Sequence, residues 1–350
     1  MKKSRTFSVV MGAMLATAGM AQSPIVLVQG PDGPSVFTNL DSAVQAAQPG
    51  DHLYLSGGVF QVPGPLVLEK PLHFIGAGIH PDSSSVTGTT TIGTASGNVA
   101  ITMGASGSTF TGIAFSTYSM VAFGTTVDDD DPTDIVFQRC AFNHGLELGQ
   151  AEGAQGSATF DECVIRGPGN YSLKGLSSRA VLTRCILDGC SVNQFRPSGL
   201  FMKNCVILND QVVNSKNGVV QNCVFTYDGA AFWQVSGMQI SNCLTSGSAL
   251  FSNSSNNTET NNVLGVSSAS IFENETDGVY QYSDDLHIAA SSIGTGMGND
   301  GTDVGIYGSG APYKTGGAPY NPHFQQAQFD PITNWNGALP VQVRTAAQTH

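Results

Sequence analysis

Six short segments of the chain repeat one order of apolar and polar positions. They are Phe137-Gln-Arg-Cys-Ala-Phe142, Phe160-Asp-Glu-Cys-Val-Ile165, Leu182-Thr-Arg-Cys-Ile-Leu187, Met202-Lys-Asn-Cys-Val-Ile207, Val220-Gln-Asn-Cys-Val-Phe225 and Ile240-Ser-Asn-Cys-Leu-Thr245, and they superpose without gaps. An apolar residue stands three before each cysteine and another stands two after it, breaking only at Thr245. A flat strand repeats every two residues, so a step of three requires a bend between the apolar positions. Asn204, Asn222 and Asn242 stand just before the last three of these cysteines. Asn tolerates the left-handed backbone of a sharp corner, and stacked Asn side chains can bond from one repeat to the next.

The cysteines Cys140, Cys163, Cys185, Cys205, Cys223 and Cys243 recur at intervals of 23, 22, 20, 18 and 20 residues. That is the length of one solenoid turn with variable loops, and it matches no zinc-binding spacing. Phe110-Thr-Gly-Ile113-Ala-Phe115 extends the pattern upstream with Ile in the Cys place, and Asn261-Asn262-Val263 extends it downstream with Asn there. Cys190 lies outside the row, as core or as a free thiol. Stacked strands lie about 4.8 Å apart with parallel Cα–Cβ bonds, which does not suit a disulfide, so the row reads as buried thiols.

Composition narrows the class. Only 11% of residues are charged, 42 are Gly, and the net charge is −12. Such a mixture suits short strands and turns and predicts an all-β protein. An acidic chain with few Lys and Arg excludes a nucleic-acid partner and disfavours acidic polymers outside a local basic cleft.

Asp41-Ser-Ala-Val-Gln-Ala-Ala-Gln-Pro-Gly-Asp51, Leu53–Phe60 and Leu66–Gly78 follow one another at the front, and Leu286–Ser292 and Asp300–Gly308 at the back. With the repeat between them, these segments resemble the pectin-lyase-like family of exported bacterial proteins. The resemblance implies a single-stranded right-handed parallel β-helix of three parallel sheets, with an N-terminal cap and an Asn ladder in one turn. The solenoid and its cap are expected over residues 22–308. Residues 309–350 are expected to form an extended tail with one strand around Leu339–Val343, packed on or beside the solenoid.

Lys2, Lys3 and Arg5 precede an apolar run from Phe7 to Ala18, and small residues end at Ala21. This reads as a signal peptide over 1–21, so export to the periplasm, surface or exterior is expected. The run is shorter than the ~20 apolar residues of a spanning helix, and nothing comparable follows, so no transmembrane segment is expected in the mature chain.

Candidate chemistry is sparse. The row one after each cysteine, from Ala141 to Leu244, is apolar, whereas a groove acting on a sugar polymer needs convergent carboxylates or cations. Arg166 and Asp188 hold matching places on neighbouring repeats, either as base and acid or, more plainly, as a cross-strand ion pair. His144, Lys174, Arg179 and Arg196 are the remaining candidates, all surface cations or imidazoles. The run Asp128, Asp129, Asp130 and Asp131 is the candidate metal site, with calcium as its ion, set against a solvated loop. The turn Asn299-Asp300-Gly301-Thr302-Asp303 misses the calcium-loop spacing and reads as structural. No cofactor motif is evident.

Enzymes of the resembled family carry an Arg-x-Pro-x-x-Arg element or blocks containing Asn-Thr-Asp and Gly-His-Gly. Here Phe195-Arg196-Pro197 lacks the second Arg, and Asp284-Asp285 falls outside the repeats. Resemblance in fold therefore carries no activity across. Three functions stay open: binding of a polysaccharide or envelope component, a polysaccharide lyase or glycoside hydrolase, and a structural or adhesive role.

Overall fold

The computed structural model describes residues 24–82, 87–128, 130–168, 172–275, 277–315, 323–329, 333 and 336–346, so the expected export segment 1–21 lies outside the described residues. The chain forms a parallel β-solenoid of about nine turns. Each turn lays one strand on each of three sheets. The first sheet runs from His52–Leu55 to Thr258–Thr260, the second from Gly58–Val62 to Leu244–Thr245, and the third from Leu66–Leu68 to Phe251–Ser252. The strands Val26–Gly30 and Gly33–Phe37 extend the first sheet antiparallel at its N-terminal edge. Beside them the helix Leu40–Ala46, begun by Asn39 whose Oδ1 accepts from Ser42 N–H at 2.9 Å, buries Leu40, Ala43 and Val44 in the same core.

The bend required by the sequence lies between the first and second sheets. The strand Ile135–Gln138 ends, Arg139 turns left-handed at φ 53°, Cys140 points into the core, and Ala141–Phe142 begins the next sheet. The same corner recurs at Glu162, Arg184, Asn204, Asn222, Asn242 and Asn261, with φ between 51° and 55°. Inside it, Phe137 and Phe160, three before Cys140 and Cys163, continue a stack of rings begun by their register partners Phe74 and Phe110, with successive centroids 4.9, 5.0 and 5.3 Å apart.

All seven cysteines are buried and unbridged. Cys140, Cys163 and Cys185 each direct Sγ at 3.4 Å to the carbonyl of the phenylalanine one turn back, Phe110, Phe137 and Phe160. Burial pushes the thiols of Cys140, Cys185 and Cys223 up, so they stay protonated. Cys190 is core, its thiol also raised by burial. Asn262, in the Cys place of the last repeat, accepts from Cys243 N–H at 2.9 Å and donates to the Ile240 carbonyl at 3.1 Å.

The corner asparagines do not bond from turn to turn as the sequence suggested. Their side chains face outward onto a later part of the chain. Asn204 donates to the Gly305 carbonyl at 3.1 Å and Asn242 to the Met297 carbonyl at 2.8 Å. Asn222 exchanges two bonds with Asn299, at 2.9 and 3.0 Å. The cause is geometric: the inward place at this corner belongs to the cysteine, leaving the left-handed residue to point away.

That later segment, 271–313, covers the second sheet. Ala141, Val164, Ile186, Val206, Val224 and Leu244 face out of the solenoid yet are buried, against Ile271, Phe272, Leu286, Ile288, Val304, Ile306 and Tyr313. Gly305, at φ 80°, lies so close that a Cβ there would stand 3.3 Å from both Val206 and Val224. The cover is thus supplied mostly by residues before 309. Of the aromatic residues in the tail after 308, Tyr313 belongs to this cluster. Tyr320 and Trp335 lie outside the described residues, as do the side chains of Phe324 and Phe329 on the strand His323–Phe329. That strand pairs antiparallel with Val341–Ala346.

Candidate functional site

The second sheet and its cover do not meet everywhere. Where strands Val164–Arg166 and Ile186–Asp188 end, a cleft of about 550 Å³ opens beside the turn around Val279, with Asn143, Arg166, Asp188, Asn209 and Asp210 on its walls. The volume falls within the range of small-ligand sites.

Arg166 organises the cleft. It is in direct register with Asp188 on the next turn, and Nε lies 3.5 Å from Asp188 Oδ2. Its Nη1 donates to Asn143 Oδ1 at 3.0 Å. The guanidinium also lies 5.5 Å from the ring centroids of both Tyr280 and Tyr282, which hold it from behind. Burial raises Asp188, opposed by a backbone hydrogen bond from Tyr280 and by Arg166. Burial also raises Asp210, opposed by its bond from Gln211 N–H at 2.8 Å. Both carboxyls therefore hold a proton more firmly than ordinary aspartates.

The turn facing the strands is built by its own side chains. Glu275 accepts from Gly278 N–H at 2.6 Å and from Asp277 N–H at 3.2 Å, and Asn209 donates to the Gly278 carbonyl at 2.8 Å. A Cβ at Gly278, where φ is 75°, would lie 2.2 Å from Asn209 Nδ2, so this approach requires glycine.

Of the candidates named from sequence, the cleft unites Arg166 and Asp188 and leaves the others elsewhere. His144 lies at the corner between the second and third sheets. Lys174 pairs at 3.5 Å with Glu147, its register partner on the outside of the third sheet. Arg179 begins the first-sheet strand Arg179–Thr183, and Arg196 donates to Gln155 Oε1 at 2.9 Å. Partial burial and Arg179 hold Arg196 below its ordinary value. Sequence reasoning missed Asn209 and Asp210. The signal available was the Asn-Asp pair directly after Val206-Ile207-Leu208, where a left-handed Asn209 turns the chain, as Gly189 does one turn earlier.

The aspartate run lies on a different face. Asp130 accepts from Thr125 N–H at 2.9 Å and Thr125 Oγ1 at 3.0 Å, while Asp128 and Asp131 border a 90 Å³ hollow. Asp129 lies outside the described residues, and among those described no three His, Cys, Asp or Glu side chains converge to hold an ion. The turn at 299–303 is structural: Asp300 accepts from Thr302, and Asp303 from Gly296 N–H at 2.8 Å. No helix among the described residues is long and apolar enough to cross a membrane.

No family model and no curated protein matches the chain.

Proposed function

We propose that the protein is an exported β-solenoid that binds a neutral polysaccharide segment in the cleft beside Arg166. The observation that carries this reading is the composition of the cleft: one guanidinium, set against two tyrosine rings, shares its walls with two half-buried carboxyls and two amides. Such a set offers donors and acceptors to sugar hydroxyls. It offers no net positive charge to a uronic acid, since Arg166 is already shared by Asp188 and Asn143. The outward polysaccharide lyase reading loses support for the same reason. The resemblance to exported pectin-lyase-like proteins agrees with a glycan ligand and with export.

Affinity electrophoresis of the full chain in gels containing neutral glucans or xylans, against polyuronates, tests the proposal. Retardation by a neutral polymer, lost in Arg166→Gln and Asp188→Ala, is expected. Retardation by polyuronate alone, or equal retardation of the variants, would reject it. A second reading rests on Asp188 and Asp210, two carboxyls on the walls of one cleft and both raised by burial, a pair that suits an acid and a base for glycoside hydrolysis. It requires new reducing ends from the retained polymer, abolished by Asp188→Asn or Asp210→Asn; binding without product rejects it.

A further inference from the structure

On the outside of the first sheet, at the end remote from the last turn, His52 and His73 occupy directly registered positions on neighbouring parallel strands. Registered residues on such strands project the same way from backbones about 4.8 Å apart. Their imidazoles lie side by side, with centroids 4.7 Å apart and planes inclined by 38°. The His73 ring is fixed from its far side: Nδ1 lies 2.9 Å from Thr109 Oγ1, the hydroxyl registered with His73 on the following strand. With Nδ1–H donated to that hydroxyl, Nε2 carries the lone pair, the arrangement that a metal-ligating histidine uses.

The geometry points to a two-histidine site for a borderline divalent transition-metal ion of the Zn²⁺ or Cu²⁺ class, formed by His52 and His73. Two nitrogens bound to a tetrahedral ion at 2.0–2.1 Å lie about 3.3 Å apart. Rings already 4.7 Å apart at their centres reach that separation by turning the exposed His52 about its side-chain bonds. No third His, Cys, Asp or Glu joins the pair among the described residues. Water would complete the coordination, and nitrogen donors would select against calcium and magnesium. The site lies on a different sheet from the cleft and is independent of the glycan reading.

Isothermal titration of the metal-free full chain with ZnCl₂, repeated with CuCl₂ and CaCl₂, provides the test. Saturable uptake of Zn²⁺, tighter uptake of Cu²⁺ and no uptake of Ca²⁺ are expected. His52→Gln and His73→Gln should each weaken Zn²⁺ binding at least tenfold, while His287→Gln, on a distant segment, should leave it unchanged. Thr109→Val separates the supporting bond from the ligands and should weaken binding less than His73→Gln. His52 is exposed, so its replacement keeps the fold and the comparison remains available. Absence of saturable Zn²⁺ uptake, or undiminished uptake by the His52→Gln/His73→Gln double variant, would overturn the assignment.

Discussion

At the scale of single residues, the most constrained group is Arg139. Its side chain is fully buried in a left-handed corner and its Nε lies 2.8 Å from Glu162 Oε2, itself buried in the equivalent corner one turn on. Arg184, one turn further, reaches Glu162 Oε1 at 3.6 Å and also bonds Asp161. Removing one partner of a buried pair leaves a charge without compensation, which costs far more than the net worth of the pair. Glu162→Ala should therefore lose about 3–5 kcal/mol in urea unfolding, and Arg139→Met combined with Glu162→Leu should lose less. Asp210 behaves oppositely, because burial raises it. A carboxyl whose folded pKa lies above its unfolded value weakens the fold as pH rises from the ordinary carboxylate range through the raised value. Asp210→Asn should thus melt higher than the parent at neutral pH, and the gap should close as the pH falls below the ordinary value. A gap independent of pH would show that the carboxylate charge is not its cause.

At the scale of the element, the solenoid is a stack of corners as much as of strands. Many strands hold only two or three residues, so direction is set where the chain turns left-handed. Asn222 performs two tasks there, adopting φ 55° and exchanging two hydrogen bonds with Asn299. Asn222→Gly keeps the backbone and loses the bonds, whereas Asn222→Ala loses the bonds and meets the left-handed penalty of roughly 1–2 kcal/mol. The alanine variant should be the less stable by about that amount in denaturant titration, and equal stabilities would place the whole effect in the side-chain bonds.

At the scale of the whole molecule, segment 271–313 converts an apolar sheet face into a second core. An uncovered stripe of Val164, Ile186, Val206, Val224 and Leu244 would form a contiguous apolar patch of the kind soluble monomers seldom show. Among the described residues, truncation after Gly308 removes only Tyr313 from this cluster, whereas truncation after Gly265 removes the cover formed by 271–313. Light scattering should find the shorter protein associated and the longer one near the parent. Association of both to the same degree would place the essential contacts after 308.

The repeat in the sequence determined the solenoid, because a step of three between apolar positions, recurring every 18–23 residues, cannot be met by a flat strand and forces a corner in every turn. It also determined the buried thiol row and the pairing of Arg166 with Asp188, since register on a parallel sheet follows directly from alignment of the repeats. What covers the second sheet was decided by tertiary structure alone: residues 271–313 lie outside the repeat, and their apolar positions carry no period that identifies a partner. The cleft was decided the same way. Asp210 and the turn at 275–280 are separated by scores of residues, and they meet only because Asn209 reaches the Gly278 carbonyl and glycine there admits the approach. The outward aim of Asn204, Asn222 and Asn242 has the same origin, since a left-handed residue in the sequence specifies a corner, while its bonding partner is chosen by whatever packs against it.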